Sequence, residues 1–180
     1  MKRLQLWILL VAALAMVGCS GMRVQDYAAT TPRLDLFAYF DGHTRAWGMF
    51  QSRSGALKRR FRVDIVGEVA GDRLTLTEDF VYDDGEKQRR VWHIRRTGEH
   101  AFEGTAADVV GSAVGEAHGA ALNWRYTLRL PVGNRTFDVQ FDDWMFLHED
   151  GVLMNRAEVR KFGFRVGEVT LFFRRGEGPS

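Results

Sequence analysis

Two adjacent carboxylates followed by a tryptophan, Phe141-Asp142-Asp143-Trp144, make the most unusual local phrase in this 180-residue chain. They continue an alternating run in which Phe137, Val139 and Phe141 share one face with Asp143, while Asp138, Gln140 and Asp142 share the other. An inward carboxylate must find a partner or hold its proton at neutral pH. Asp143 is therefore the candidate general base or ligand-orienting group, with Asn155 or Arg156 as its polariser. A structural ion pair between Asp143 and Arg156, or a bulge that turns Asp143 outward, would satisfy the same residues without chemistry.

Other signals are weaker. Glu78, Asp79, Asp83, Asp84 and Glu86 crowd one expected hairpin opposite Lys87, Arg89 and Arg90, and cross-strand charge pairing at a solvated turn explains them. Asp83-Asp84-Gly85-Glu86 lacks the full ligand loop of a calcium site. The five histidines, His43, His93, His100, His118 and His148, show neither HxH nor HExxH spacing, so no metal is implied. No serine occupies a GxSxG elbow, and Gly104, Gly111, Gly115 and Gly119 form neither a dinucleotide fingerprint nor a phosphate loop. No cofactor is implied either. Thirteen Phe, five Trp and four Tyr exceed what a minimal core needs. Of these, Trp92, Trp124, Tyr126, Phe141 and Trp144 are the candidates to line an apolar ligand cavity, the alternative being that they simply fill a small barrel.

The elements that must position these groups are strands. Phe61, Val63 and Ile65 alternate with polar residues, as do Leu74 and Leu76, and Leu122, Trp124, Tyr126, Leu128 and Leu130 form the cleanest run. Later come Val159, then Phe162, Phe164 and Val166, then Val169, Leu171 and Phe173. Reversals are expected at Gly71-Asp72, Asp84-Gly85, Thr97-Gly98, Gly133-Asn134, Asp150-Gly151 and Val166-Gly167, with a type I′ turn at Asp84-Gly85. Pro32, Pro131 and Pro179 lie at segment ends. The pattern predicts an all-β chain of roughly eight to ten strands without a long amphipathic helix. An antiparallel up-and-down, lipocalin-like barrel is favoured, because successive hairpins close a sheet and remove its edges. A β-sandwich is the alternative. A membrane-spanning barrel is disfavoured by Arg, Asp and Glu on the outward positions.

The first 18 residues carry Lys2 and Arg3, an apolar stretch from Leu6 to Val17, and Gly18. This reads as a signal peptide, too short to span a bilayer. Lys2 and Arg3 fall within it, so 25 basic residues become 23, equal to the 23 acidic ones, and the apparent basicity that would suggest nucleic acid disappears. The single cysteine excludes an intramolecular disulfide. Met16-Val17-Gly18-Cys19-Ser20 resembles a bacterial lipobox, which makes Cys19 the expected diacylglycerol-linked first mature residue and the membrane an expected partner. With Ser20 rather than Asp after the cysteine, the resemblance to sorted lipoproteins implies the inner leaflet of the outer membrane, facing the periplasm. The expected division is a signal peptide over 1–18, a lipidated tether over 19–32, one β-barrel domain over 33–175 and a polar tail over 176–180.

Seven phrases stand in one order: Glu78-Asp79-Phe80, Asp83-Asp84-Gly85, Arg90-Val91-Trp92, Asp108-Val109-Val110-Gly111, Phe141-Asp142-Asp143-Trp144-Met145, Asn155-Arg156-Ala157 and Lys161-Phe162-Gly163. Together, from Phe37 to Phe173, the chain resembles the bacterial lipoprotein family catalogued as domain of unknown function 3833. The resemblance implies a signal-anchored envelope protein and no established reaction. The leading expectation is a non-enzymatic, lipid-anchored barrel that binds an apolar or lipid-derived ligand. Its rivals are an enzyme acting on membrane lipid with Asp143 as base, and a structural envelope lipoprotein with a protein partner.

Overall fold

In a computed structural model that describes residues 21–176, the chain forms ten antiparallel strands closed into a barrel. They are β1 (Gly42–Ser52), β2 (Leu57–Ala70), β3 (Arg73–Tyr82), β4 (Lys87–Arg96), β5 (Ala101–Thr105), β6 (Ala113–His118), β7 (Ala121–Val132), β8 (Arg135–Leu147), β9 (Val152–Lys161) and β10 (Phe164–Arg175). Each strand pairs with its sequence neighbours, and β1 closes on β10 from Thr44 opposite Arg175 to Ser52 opposite Gly167. The fold is the expected up-and-down barrel rather than a sandwich. Closure follows from the hairpin order and leaves neither β1 nor β10 as a free edge.

Alternation decides which side chains face the lumen. Val63 and Ile65 on β2, Leu74 and Leu76 on β3, Leu122, Trp124 and Leu128 on β7, and Val139 on β8 are buried. The outer face carries cross-strand ion pairs instead, such as Arg89 with Asp79 (2.7 Å) and Arg129 with Asp138 (3.0 Å).

One end of the barrel is plugged by a helix that the alternation pattern does not reveal, α1 (Leu36–Phe40). Five residues cannot sustain a helix alone. The Asp35 carboxylate caps it by accepting from the backbone N–H groups of Phe37 and Ala38, and Leu36, Phe37 and Phe40 are buried in the core. The Phe37 ring tilts against Phe102 at 5.9 Å, and Phe40 meets Phe173 edge-on at 5.6 Å. The Phe40 carbonyl lies where a Cβ on residue 67 would be, so glycine at 67 is what lets the plug seat on β2.

Three details differ from the expectations. The described part of the expected tether is docked: Val24 is buried, a short 3-10 helix (Val24–Tyr27) lies along β6 and β7, and the Thr30 hydroxyl accepts from the Ala120 N–H at 2.9 Å. The last reversal is at Phe162-Gly163, both at positive φ, while Val166-Gly167 lies inside β10 at a bulge. Phe162 and Phe164 are therefore hairpin-tip residues, 80% and 74% exposed. The β3–β4 connection holds a single positive-φ residue, Gly85, whereas a type I′ turn needs two. Cys19 and the expected signal peptide over 1–18 lie outside the described residues. Every strand, the plug and their mutual contacts lie within 21–176, so a chain beginning at Gly21 retains the whole described core.

Candidate functional site

The barrel encloses a cavity of about 760 Å³ that runs from Leu36 and Phe40 on the plug to the exposed Glu86 and Lys87 at the opposite mouth. Its size falls within the range typical of small-molecule sites. Apolar stretches flank its middle, with Leu122 and Phe173 toward the plug and Phe61, Phe80 and Leu130 toward the mouth, whose rim carries Arg59, Glu86 and Lys87. Between them lies a belt of polar side chains: Glu78, Arg90, Tyr126, Asp143 and Asn155.

Asp143 points inward, as the alternation predicts, and is only 6% exposed. The Tyr126 hydroxyl donates to its Oδ2 at 3.3 Å, while Oδ1 has no protein partner. Burial pushes the Asp143 carboxyl up to about 8, opposed by the Tyr126 hydrogen bond, with the charge of Asp142 adding to the rise. Tyr126 itself is driven well above its ordinary range by burial and by the neighbouring Asp143. Its ring stacks on Phe141 at 5.1 Å and meets Trp92 edge-on at 5.4 Å. Trp92 in turn packs edge-on against Trp124 at 5.8 Å.

Trp124 explains two glycines. A Cβ on Gly115 would lie 2.1 Å from its ring, and one on Gly104 would lie 2.7 Å away. The bare backbone of β5 and β6 thus forms the shelf on which the indole rests. Trp92, Trp124, Tyr126 and Phe141 all line the lumen. Trp144 does not: it faces outward and packs with Phe146 and with Tyr27 of the docked N-terminal segment. The same parity that turns Asp143 in must turn Trp144 out.

Arg156 is also outside. Its guanidinium pairs with Glu168 at 2.7 Å and holds that carboxyl below its ordinary range. It is neither the partner of Asp143 nor a polariser for it. Asn155, one residue earlier, faces the lumen at 2% exposure, and neither its Oδ1 nor its Nδ2 has a protein partner.

Two charged members of the belt depart from the expected solvated hairpin. Glu78 and Arg90 belong to the lumen rather than to the solvated hairpin, although Asp79 and Arg89 beside them do pair outside. Extending Leu74 and Leu76 by two places reaches Glu78, and stepping back from Ile94 and Trp92 reaches Arg90, so parity carries the signal. Nothing local reveals the third partner, Asp108. It sits in the β5–β6 connection, which lies along β7 through a Val109–Leu128 bridge. From there its carboxylate takes Arg90 in a two-pronged grip, with contacts of 2.7 to 3.1 Å. The Arg90 Nη1 also approaches Glu78 at 3.8 Å. Burial pushes Glu78 up to about 7 against the pull of Arg90, and its Oε2 has no hydrogen-bond partner. Asp84 and Glu86, expected to face Lys87, Arg89 and Arg90, instead converge on Arg59.

Among the described residues the lumen lining contains no Ser, Thr, Cys or His. The histidines stand elsewhere, with His100 and His118 ring to ring at 4.1 Å beside Glu116. What the arrangement can do is exclude water, hold an apolar chain, and present a belt of hydrogen-bonding groups at mid-depth.

A family model described as protein of unknown function (DUF3833) matches residues 13–175. No curated protein matches the chain.

Proposed function

The chain belongs to this DUF3833 family of unknown function, and from the form of its lumen we propose that it is a binding protein that holds one apolar, lipid-derived molecule. The observation that carries the reading is the cavity itself: about 760 Å³, plugged at one end, open at the other and lined mostly by aliphatic and aromatic side chains. Each methylene moved from water into such a lining contributes roughly 0.8 kcal/mol. The protein acts at the periplasmic face of the outer membrane, tethered through Cys19. The lipobox-like Met16 to Ser20 and the charged outer face of the barrel support that placement.

The test is native mass spectrometry with lipid extraction on the chain from Gly21, produced in the periplasm. A stoichiometric apolar adduct is expected. An empty protein that also fails to take up long-chain probes would overturn the reading.

One observation favours a second reading, an enzyme acting on membrane lipid. A buried carboxyl held near neutrality and hydrogen-bonded to a tyrosine is suited to proton transfer. In that reading Asp143 is the base and Asn155 the polariser. Loss of a cellular phenotype in Asp143→Asn, with ligand uptake intact, would favour it.

A further inference from the structure

The polar belt at mid-depth is built to meet one kind of head group. Four of its atoms are shielded from solvent without a hydrogen-bond partner: Asp143 Oδ1, Glu78 Oε2, whose nearest cation is Arg90 at 3.8 Å, and both amide atoms of Asn155. All three residues line the same cavity. Leaving such groups unmatched is costly, and a ligand with matching polar atoms recovers that cost on binding.

Charge decides which ligand. The lone cation of the belt, Arg90, is already held by both oxygens of Asp108 and faces Glu78 on its remaining side. A carboxylate or phosphate that reaches the belt would find no free cation there, Lys87 lying at the mouth. It would instead meet the carboxyls of Asp143 and Glu78, which either repel it or must stay protonated beside it. A donor finds more to meet: the Asn155 carbonyl oxygen accepts at any pH, and Asp143 Oδ1 and Glu78 Oε2 accept once ionised, while the Asn155 N–H group is the one unpaired donor among these four atoms.

We propose, building on the apolar-ligand reading above, that the belt is a head-group site for amphiphiles whose polar end donates hydrogen bonds and carries no negative charge, an amine or an alcohol, and that it rejects carboxylates. The apolar stretches of the cavity on either side of the belt hold the chain.

The pH dependence follows from the groups that face Asp143. They are Tyr126 on β7, Arg90 on β4, Glu78 on β3 and Asp142 on its own strand, with Asp108 bound behind Arg90; on β9, the facing Asn155 and Ala157 do not titrate. As pH rises and Asp143 and Glu78 ionise, an ammonium group is held more tightly. An alcohol shows no such gain.

Three probes of one chain length separate the possibilities: dodecylamine, dodecanol and dodecanoate. Each is titrated below its aggregation concentration into the chain from Gly21, with Trp92 and Trp124 as fluorescence reporters and native mass spectrometry for stoichiometry. The amine should bind at least about tenfold tighter than the carboxylate near pH 8, with the alcohol between them, and its affinity should fall toward pH 5.5. Asp143→Asn should remove most of the amine preference. Asp108→Asn, which frees the Arg90 guanidinium, should raise dodecanoate affinity several-fold, a gain that misfolding cannot mimic. Carboxylate binding as tight as that of the amine would overturn this head-group assignment and leave the apolar-ligand reading standing. Failure of all three probes to bind would overturn both.

Discussion

Replacing Asp143 with asparagine keeps the shape of the side chain and removes its ability to ionise. The folded protein holds the Asp143 proton up to about pH 8, chiefly because burial penalises the charged form, whereas the unfolded chain releases it near 3.8. This group's contribution to stability is therefore fully present below the unfolded value and is lost as pH rises toward 8. At pH 7 the unfolded chain has gained from ionisation over about three pH units at roughly 1.4 kcal/mol each, or about 4 kcal/mol. Asparagine cannot make that gain. Its amide adds a fixed cost if the new N–H group finds no acceptor, but that cost does not vary with pH. The decisive quantity is how the stability difference between variant and parent changes with pH. It should move by about 4 kcal/mol in favour of Asp143→Asn between about pH 4 and pH 7. Urea denaturation followed by tryptophan fluorescence at several pH values measures it. Parallel pH profiles for the two proteins would refute the assignment of Asp143 as a buried, proton-holding carboxyl.

Three further outcomes are expected. Arg90→Gln removes the cation between Asp108 and Glu78 and leaves two carboxyls uncompensated, which should cost about 3–5 kcal/mol near pH 8 by chemical denaturation and less in acid. Gly115→Ala drives a methyl group into the Trp124 ring and should destabilise the barrel by about 1–3 kcal/mol while shifting the tryptophan emission; an unaltered emission with full stability would deny that the glycine backbone is the indole's shelf. Tyr27→Ala removes the ring that packs on Phe146 at 5.2 Å, so hydrogen exchange should quicken over residues 22–33 and leave the strands unchanged.

How much of the site was legible depended on whether a residue obeys parity or reach. The inward placement of Asp143, Trp92, Trp124, Tyr126 and Phe141 follows from side chains alternating across a strand. The same rule, carried two residues further, places Glu78 and Arg90 in the lumen and Trp144 outside it. Density of charge around the β3–β4 hairpin masked that continuation, since a cluster of Asp, Glu, Lys and Arg resembles a solvated turn. Arg156 and Asp143 looked complementary in charge, yet adjacent residues on a strand point to opposite faces, and it is Asn155 that faces in.

An all-β chain, the faces of its strands and the antiparallel order of its hairpins follow from local pattern alone, because they depend on period-two alternation and turn residues within a few positions of one another. The closure of β1 onto β10, the plugging of one end by Leu36–Phe40 and the reach of Asp108 to Arg90, 18 residues away, emerge in the folded barrel. Those contacts join segments far apart in sequence, and no local pattern encodes which distant partner will satisfy a buried charge or cover an apolar end.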